Sequence, residues 1–230
     1  MKAVGAINIL RRHGISVAVR VTIHRHNVYD LDNIARFLLE EVGLPGFSTN
    51  SAGYMGLCRK NNEHVSLTPG ERSHAMRALL DLAERYNGRI SAAAGPLAEA
   101  RMWTEMERAR REGGEISNRG YLRACGGMWS KLAVRADGVM VPCNMMSHIP
   151  LGTINRDDMA DVWQNHEALW RVRNRRDIAL SEFEFCAGCD YIPYCTGNCP
   201  GLAYTLTGKD EHPSPDACLK RFLEAGGELP

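Results

Sequence analysis

Residues 186–208 read CAGCDYIPYCTGNCPGLAYTLTG, and the rest of the chain is interpreted outward from them. Cys186, Cys189, Cys195 and Cys199 follow a C-x2-C-x5-C-x3-C spacing, too dense for four chance core positions. Thiolates in a C-x2-C spacing can wrap one soft metal centre, which suits zinc or an iron–sulfur cluster. Gly188, Gly197 and Gly201 let the backbone turn sharply and aim N–H groups at sulfur, which eases the negative charge of a bound centre. Tyr191, Ile192 and Tyr194 are expected to cover it and exclude water.

The other cysteines extend the pattern on both sides. Cys125, Gly138 and Cys143 read C-x12-G-x4-C, and Cys218 follows Cys199 after x18, while Cys58 stands apart. Eight cysteines in 230 residues are too few for a disulfide scaffold and too many for an ordinary cytosolic domain. In a reducing compartment such a cluster points to metal ligation. Lys+Arg 28 against Asp+Glu 27 leaves a net charge of +1, so nothing steers the chain toward nucleic acid or an anionic membrane. No apolar run approaches the ~20 residues of a membrane span. The apolar stretch 3–10 is interrupted by Gly5 and Asn8 and followed by Arg11-Arg12, the wrong order for a signal peptide, so a cytoplasmic location is expected.

Upstream, helix and strand alternate. Residues 1–13 carry apolar side chains at helical spacing; residues 16–23 (SVAVRVTI) alternate as a strand. A helix is expected over 32–42, ended by Gly43, then a strand at 46–49. Thr68-Pro69-Gly70-Glu71 combines an N-cap, Pro at the first helical position and Glu three residues on, opening a helix to about Tyr86. A strand at 89–93 and a helix over 97–111 follow. This order implies βαβ units with a parallel sheet, an α/β class. Residues 107–123 (ERARREGGEISNRGYLR) read as a charged linker. Beyond it, residues 131–141 form a hairpin turning at Asp137-Gly138, residues 151–154 add a short strand, and residues 159–172 form one amphipathic helix carrying Trp163 and Trp170. A Cys-, Gly- and Pro-rich loop spans 185–201, and a last helix lies near 216–223.

On these motifs, Cys125 through Cys218 resemble the SPASM domain, the auxiliary cluster domain of radical SAM enzymes that modify peptides and proteins. All seven cysteine positions match, together with the Gly138-to-Cys143 spacing and the 186–208 run. Pro200 after Cys199 is similar to the Cys-Pro ending of ferredoxin ligand runs. The preceding part, with GISVAVRVTIHRHN at 14–27, resembles the C-terminal half of a radical SAM barrel. The resemblance implies a partial (β/α) barrel over 1–106, a linker over 107–123, a small Cys-rich α+β SPASM domain over 124–224 and a tail over 225–230.

It also implies two auxiliary clusters, expected to be [4Fe–4S]: one on Cys125, Cys143 and Cys199, the other on Cys186, Cys189, Cys195 and Cys218. The fourth position of the first is open, filled by water or substrate, or taken by a residue such as Cys58 or His148. The C-x3-C-x2-C loop that binds the catalytic cluster of such enzymes is missing from residues 1–230, and Gly113-Gly114-Glu115 in the linker is not the amine-binding motif for S-adenosylmethionine. The chain is therefore expected to be a C-terminal portion of a larger enzyme, a split-gene subunit or a degenerate copy, inactive alone, with S-adenosylmethionine bound only by a complete enzyme. Its partners would be a peptide or protein substrate, a reductant such as ferredoxin or flavodoxin, and a separate N-terminal half. Catalytic residues are not assigned. The alternatives are a stand-alone iron–sulfur electron-transfer or substrate-binding subunit and a structural zinc module. Against the latter, seven cysteines in interleaved sets are unlike zinc's closed groups of four.

The remaining singular residues have ordinary readings beside sharper ones. Cys58 reads as a half-buried free thiol, and His24, His26 and Asn27 as either a cavity wall or a solvated loop. Met145-Met146 read as core filler, Trp163 and Trp170 as core anchors, and the 171–176 stretch (RVRNRR) as an exposed face rather than a clamp for a leader peptide's carboxylates.

Overall fold

The computed structural model describes residues 2–123 and 125–230. Met1 and Ala124, which open the expected first helix and the expected cysteine-rich domain, lie outside the described residues. The chain is mixed α/β and divides into two units. One comprises Met1–Gly53, Lys60–Thr104 and Gly226–Pro230; the other comprises Tyr54–Arg59 and Glu105–Ala225.

The first unit starts with α1 (Lys2–Arg12) and β1 (Arg20–Ile23), followed by α2 (Leu31–Arg36) and β2 (Phe47–Ser51). After α3 (Gly56–Lys60), which lies almost wholly in the second unit, come α4 (Asn62–Val65), α5 (Pro69–Arg85), β3 (Ile90–Ala92) and α6 (Pro96–Glu112), which enters the second unit at Glu105. The strands form a parallel sheet in the order β1-β2-β3, with Arg20 opposite Ser48 and Phe47 opposite Ile90. The expected strand at 16–23 is paired only from Val19 onward, because β2 starts at Phe47 and leaves residues 16–18 without a neighbour. The expected helix over 32–42 changes winding instead of running on. Residues Phe37–Glu41 are π-helical, with Val42 N–H donating to the Phe37 carbonyl at 2.8 Å, before Gly43 stops the chain at φ +67°.

Local chemistry accounts for α5. Glu71 N–H donates to Thr68 Oγ1 at 3.2 Å and Thr68 N–H donates to Glu71 Oε2 at 2.7 Å, a complete capping box with Pro69 at the first turn. Its inner face, Ala75, Leu79 and Leu82, packs with Leu31, Ala35 and Leu38 in the core that holds Ile23 and Ile90. Each such large apolar side chain contributes about 1.5–3 kcal/mol on burial. The C-terminal residues belong here too. Glu228 N–H donates to Ser73 Oγ at 2.8 Å, and that hydroxyl donates to the Pro69 carbonyl.

The second unit contains an antiparallel sheet of β4 (Ala133–Val134), β5 (Val139–Val141) and β6 (Gly152–Thr153). Asp137-Gly138 makes the hairpin turn, with Gly138 at φ +84°. Then follow α7 (Met159–Asn165), α8 (Glu167–Arg173), α9 (Pro200–Thr207) and α10 (Leu219–Glu224). The single helix expected over 159–172 is broken. His166 is extended (φ −66°, ψ 119°) and its Nδ1 accepts from Ala168 N–H at 3.2 Å, capping α8 anew. The core joins Met128, Met140, Met146 and Leu151 to Val162, Leu169 and Val172. Among the described residues no helix is long and apolar enough to cross a membrane.

Candidate metal centre

In the second unit, four of the predicted ligands border one space. A turn, Glu184–Cys186, ends on Cys186, the turn Ile192–Tyr194 delivers Cys195, and Cys218 stands at the start of α10. Cys186, Cys189, Cys195 and Cys218 line a cavity of about 140 Å³, with Tyr191 and Ile192 on its wall as expected; Tyr194 is not among its lining residues. Burial pushes the Cys186 thiol up to about 12, and charge on Cys195, Cys189 and Cys218 pushes the same way. Burial also raises Cys195 and Cys218, with Cys189 adding to both. Backbone N–H groups oppose this: Gly197 N–H reaches Cys195 Sγ at 3.4 Å, and those of Arg221 and Lys220 face Cys218. Thiols so crowded in a dry space hold their protons until a cation takes the place of those protons.

The other three do not line this cavity. Cys125 is exposed, and its Sγ accepts from Gly127 N–H at 3.4 Å at the start of the turn Gly126–Trp129. Cys143, two residues beyond β5, opens the turn Asn144–Met146. Burial raises its thiol, the N–H groups of Met145 and Met146 pull it back, and charge on Cys199 and Cys125 raises it further. Cys199 precedes α9, whose Pro200 occupies the first helical turn, so the expected loop gives way to helix there. Gly201 explains how the two segments meet. A Cβ on it would fall 2.6 Å from Met145 Cβ, so only glycine lets α9 lie against the 144–146 turn. Met146 is core filler, as expected.

Four cysteines thus share one cavity wall, while charge on Cys199 and Cys125 reaches Cys143. All eight cysteines are free thiols, and Cys58 lies half-buried on α3. His148 stacks on Tyr204 with ring centroids 3.4 Å apart, and the charges acting on it are those of Asp210 and Arg171. Among the described residues no three His, Cys, Asp or Glu side chains already have the geometry of a single bound ion. The sulfur-lined cavity, its aromatic wall and the N–H groups aimed at sulfur fit a larger sulfur-ligated group.

The stretch 171–176 corrects its reading as an exposed face. Arg171 pairs with the chain's own Asp210 and Glu211, each at 2.8 Å. Arg173 is buried inside a ring of Trp129, Trp163 and Trp170, its guanidinium carbon 4.4 Å from the Trp163 ring centroid. Its Nε donates to the Met128 carbonyl at 3.0 Å. Arg175 is fully buried, and burial pulls it down to about 10, so it stays charged at neutral pH. Trp170, expected as a core anchor, is 38% exposed, because the break at His166 resets the helical phase. Near this cavity, Tyr191 OH donates to Glu107 Oε2 at 2.6 Å, and Arg110 and Arg111 also bind that carboxylate. Those donors, with Arg110 first, hold Glu107 down to about 2.

In the first unit, His24, His26 and Asn27 follow β1 and satisfy one another. His24 N–H donates to Asn27 Oδ1 at 2.9 Å, and His26 N–H donates to His24 Nδ1 at 3.2 Å. On β2, Thr49 Oγ1 and Asn50 Oδ1 are buried without partners, which no spacing in the sequence signals.

Residues 125–190 match the SPASM family, described as an iron–sulfur cluster-binding domain, a stretch that includes Cys125, Cys143, Cys186 and Cys189. The chain is 21% identical over 204 residues to PqqA peptide cyclase of Ruegeria pomeroyi, covering 86% of this chain and 48% of that protein. It is 23% identical over 237 residues to pre-heme d1 synthase of Dinoroseobacter shibae, covering 98% of this chain and 57% of that protein. It thus spans about half the length of the curated relatives it matches. Its fold is similar to that of native anSMEcpe with bound AdoMet and Kp18Cys peptide, with TM-score 0.57, 14% identity, and coverage of 96% of this chain and 58% of that one. Native anSMEcpe with bound AdoMet gives TM-score 0.54 at 15% identity, covering 96% of this chain and 57% of that one. The resemblance to radical SAM/SPASM proteins read from the cysteine spacing is thereby shown.

Proposed function

We propose that this chain is the auxiliary-cluster portion of a radical SAM/SPASM enzyme that modifies a peptide or protein side chain. In this reading a partial (β/α) barrel precedes a SPASM domain that holds two [4Fe–4S] clusters. Cys186, Cys189, Cys195 and Cys218 would ligate one, and Cys125, Cys143 and Cys199 the other. The observation that carries the reading is the cavity bordered by four cysteines, three from one run and the fourth from far along the chain. Such clusters supply one-electron transfer. The chain's residues contribute the rest. Gly197 N–H and Gly127 N–H donate to sulfur, Tyr191 and Ile192 screen the four-cysteine cavity from water, and Glu107 holds Tyr191 in place.

Cleavage of S-adenosylmethionine needs a C-x3-C-x2-C cluster loop, which these 230 residues do not contain. The proposed role is therefore electron transfer and substrate positioning beside a SAM-binding half, with a peptide as substrate and a small electron carrier as reductant. Anaerobic reconstitution with iron and sulfide tests this directly. The expected product is brown, absorbs near 400 nm, and contains about eight iron and about eight sulfide per chain. Tightly bound zinc without acid-labile sulfide would overturn it.

A further inference from the structure

Ser214 stands on the wall of the cavity that Cys186, Cys189, Cys195 and Cys218 line. It is 2% exposed, and its Oγ is buried without a hydrogen-bond partner among the described residues. The backbone fixes it beside one of the four cysteines. Ser214 N–H donates to the Gly197 carbonyl at 2.8 Å, and Gly197 N–H reaches Cys195 Sγ at 3.4 Å. The other polar side chains on that wall are engaged elsewhere. Tyr191 OH donates to Glu107, and Asn198 Nδ2 donates to the Ala217 carbonyl at 2.7 Å. Lys220 pairs with Glu224 at 3.8 Å, and the Arg221 guanidinium lies over the Phe185 ring, 4.2 Å from its centroid. A hydroxyl buried with no acceptor has given up its bonds to water without return, a cost that native interiors rarely carry. Anionic sulfur accepts hydrogen bonds, and Ser214 is the one fully buried side-chain donor on this wall without a partner.

We propose that Ser214 donates a hydrogen bond to a sulfur of the metal–sulfur group held by Cys186, Cys189, Cys195 and Cys218, and so raises the reduction potential of that group. The inference rests on the proposed function, since the group must be bound. An added electron makes the sulfur more negative and a hydrogen bond to it stronger, so the donor favours the reduced form over the oxidised one. Burial magnifies the effect, because water does not reach this hydroxyl to compete for it. Ser214 is not a ligand: it tunes the group and leaves the shell of four thiolates intact.

The test is a redox titration of the reconstituted full chain with dithionite, read by electron paramagnetic resonance. The signal lost in Cys189→Ala belongs to the four-cysteine group. The signal lost in Cys125→Ala is the internal reference, since Cys125 does not line the cavity. Ser214→Ala removes the hydroxyl and Ser214→Thr keeps it. In Ser214→Ala the four-cysteine signal should move to lower potential by about tenfold in the reduction equilibrium, or about 59 mV for a one-electron couple. In Ser214→Thr it stays near its wild-type value, and the reference signal moves in neither. The metal-free chain gives an independent reading. With no protein acceptor to lose, Ser214→Ala should unfold at the wild-type denaturant midpoint or above it. If Ser214→Ala does not assemble the group, Ser214→Gly reads the same shift. An unchanged potential without the hydroxyl, an equal displacement in Ser214→Thr, or a clear loss of stability in metal-free Ser214→Ala overturns the inference and leaves the proposed function standing. A wild-type protein without a cluster on the four cysteines overturns both.

Discussion

Replacing Gly197 by alanine should weaken the second unit by an amount that can be worked from two terms. Gly197 sits at φ +64°, where a Cβ costs about 1–2 kcal/mol against the neighbouring carbonyl. That Cβ would also fall 2.3 Å from Leu122 Cδ2 and 3.1 Å from Leu180 Cδ2. Both leucines are fully buried, so overpacking adds about 1–3 kcal/mol. The sum is about 2–5 kcal/mol. Gly188→Ala is the control, since it has φ +65° and nothing within 4 Å of its Cβ, and therefore carries only the backbone term. The assay is denaturant unfolding of the metal-free chain, so that metal binding does not shift the midpoint. Tryptophan fluorescence reports it, because Trp129, Trp163 and Trp170 belong to this unit and only Trp103 to the other. In Gly197→Ala/Leu122→Ala the shorter of the two contacts disappears, and the combined loss should fall below the sum of the single losses. If Gly197→Ala is no more damaging than Gly188→Ala, the packing argument is refuted.

Thr68→Ala removes the capping box of α5 and should lower stability by about 1 kcal/mol, with Thr68→Ser nearly neutral; thermal unfolding of the three proteins checks it. Glu107, held down to about 2 by Arg110, Tyr191 and Arg111, contributes stability that is complete above the ordinary carboxylate range. That contribution fades as pH falls from roughly 4 toward 2, so Glu107→Gln should flatten the acid limb of a stability–pH curve; an unchanged limb would count against it. In air the three-cysteine group, with Cys125 exposed, should lose iron before the four-cysteine group; spectra of Cys125→Ala and Cys189→Ala during oxygen exposure would separate the rates, and equal rates would contradict the prediction.

The elements legible in the sequence are those specified by local chemistry. Thr68-Pro69-Gly70-Glu71, Gly43 and Asp137-Gly138 each act within a few residues, and the structure uses them as turn and cap grammar predicts. The cysteine spacing also carried longer-range information, since Cys218 joins Cys186, Cys189 and Cys195 around one cavity. What escaped depended on distant surroundings. Arg173 and Arg175 look like solvated charge in any window, and it is the three tryptophans and backbone carbonyls distant in sequence, those of Met128, Arg123 and His212, that make their burial tolerable. The break at His166 is invisible to periodicity because apolar spacing continues through it. The unpartnered oxygens of Thr49 and Asn50 depend on what surrounds β2 in the folded unit, and hydropathy does not record them.

Glu228 and Ser73 are 155 residues apart, yet their hydrogen bond belongs to the first unit. On a ribosome adding roughly 5–20 residues per second, about 8 to 30 s separate the appearance of the two partners. Helices form in microseconds and small domains within seconds, so α5 has long been wound when its last neighbour emerges. Until then the hydroxyl of Ser73 donates only to its own helix, at the Pro69 carbonyl. The closing strap is therefore a late addition to a finished surface, and the long part of the second unit, Glu105–Ala225, is synthesised in the interval.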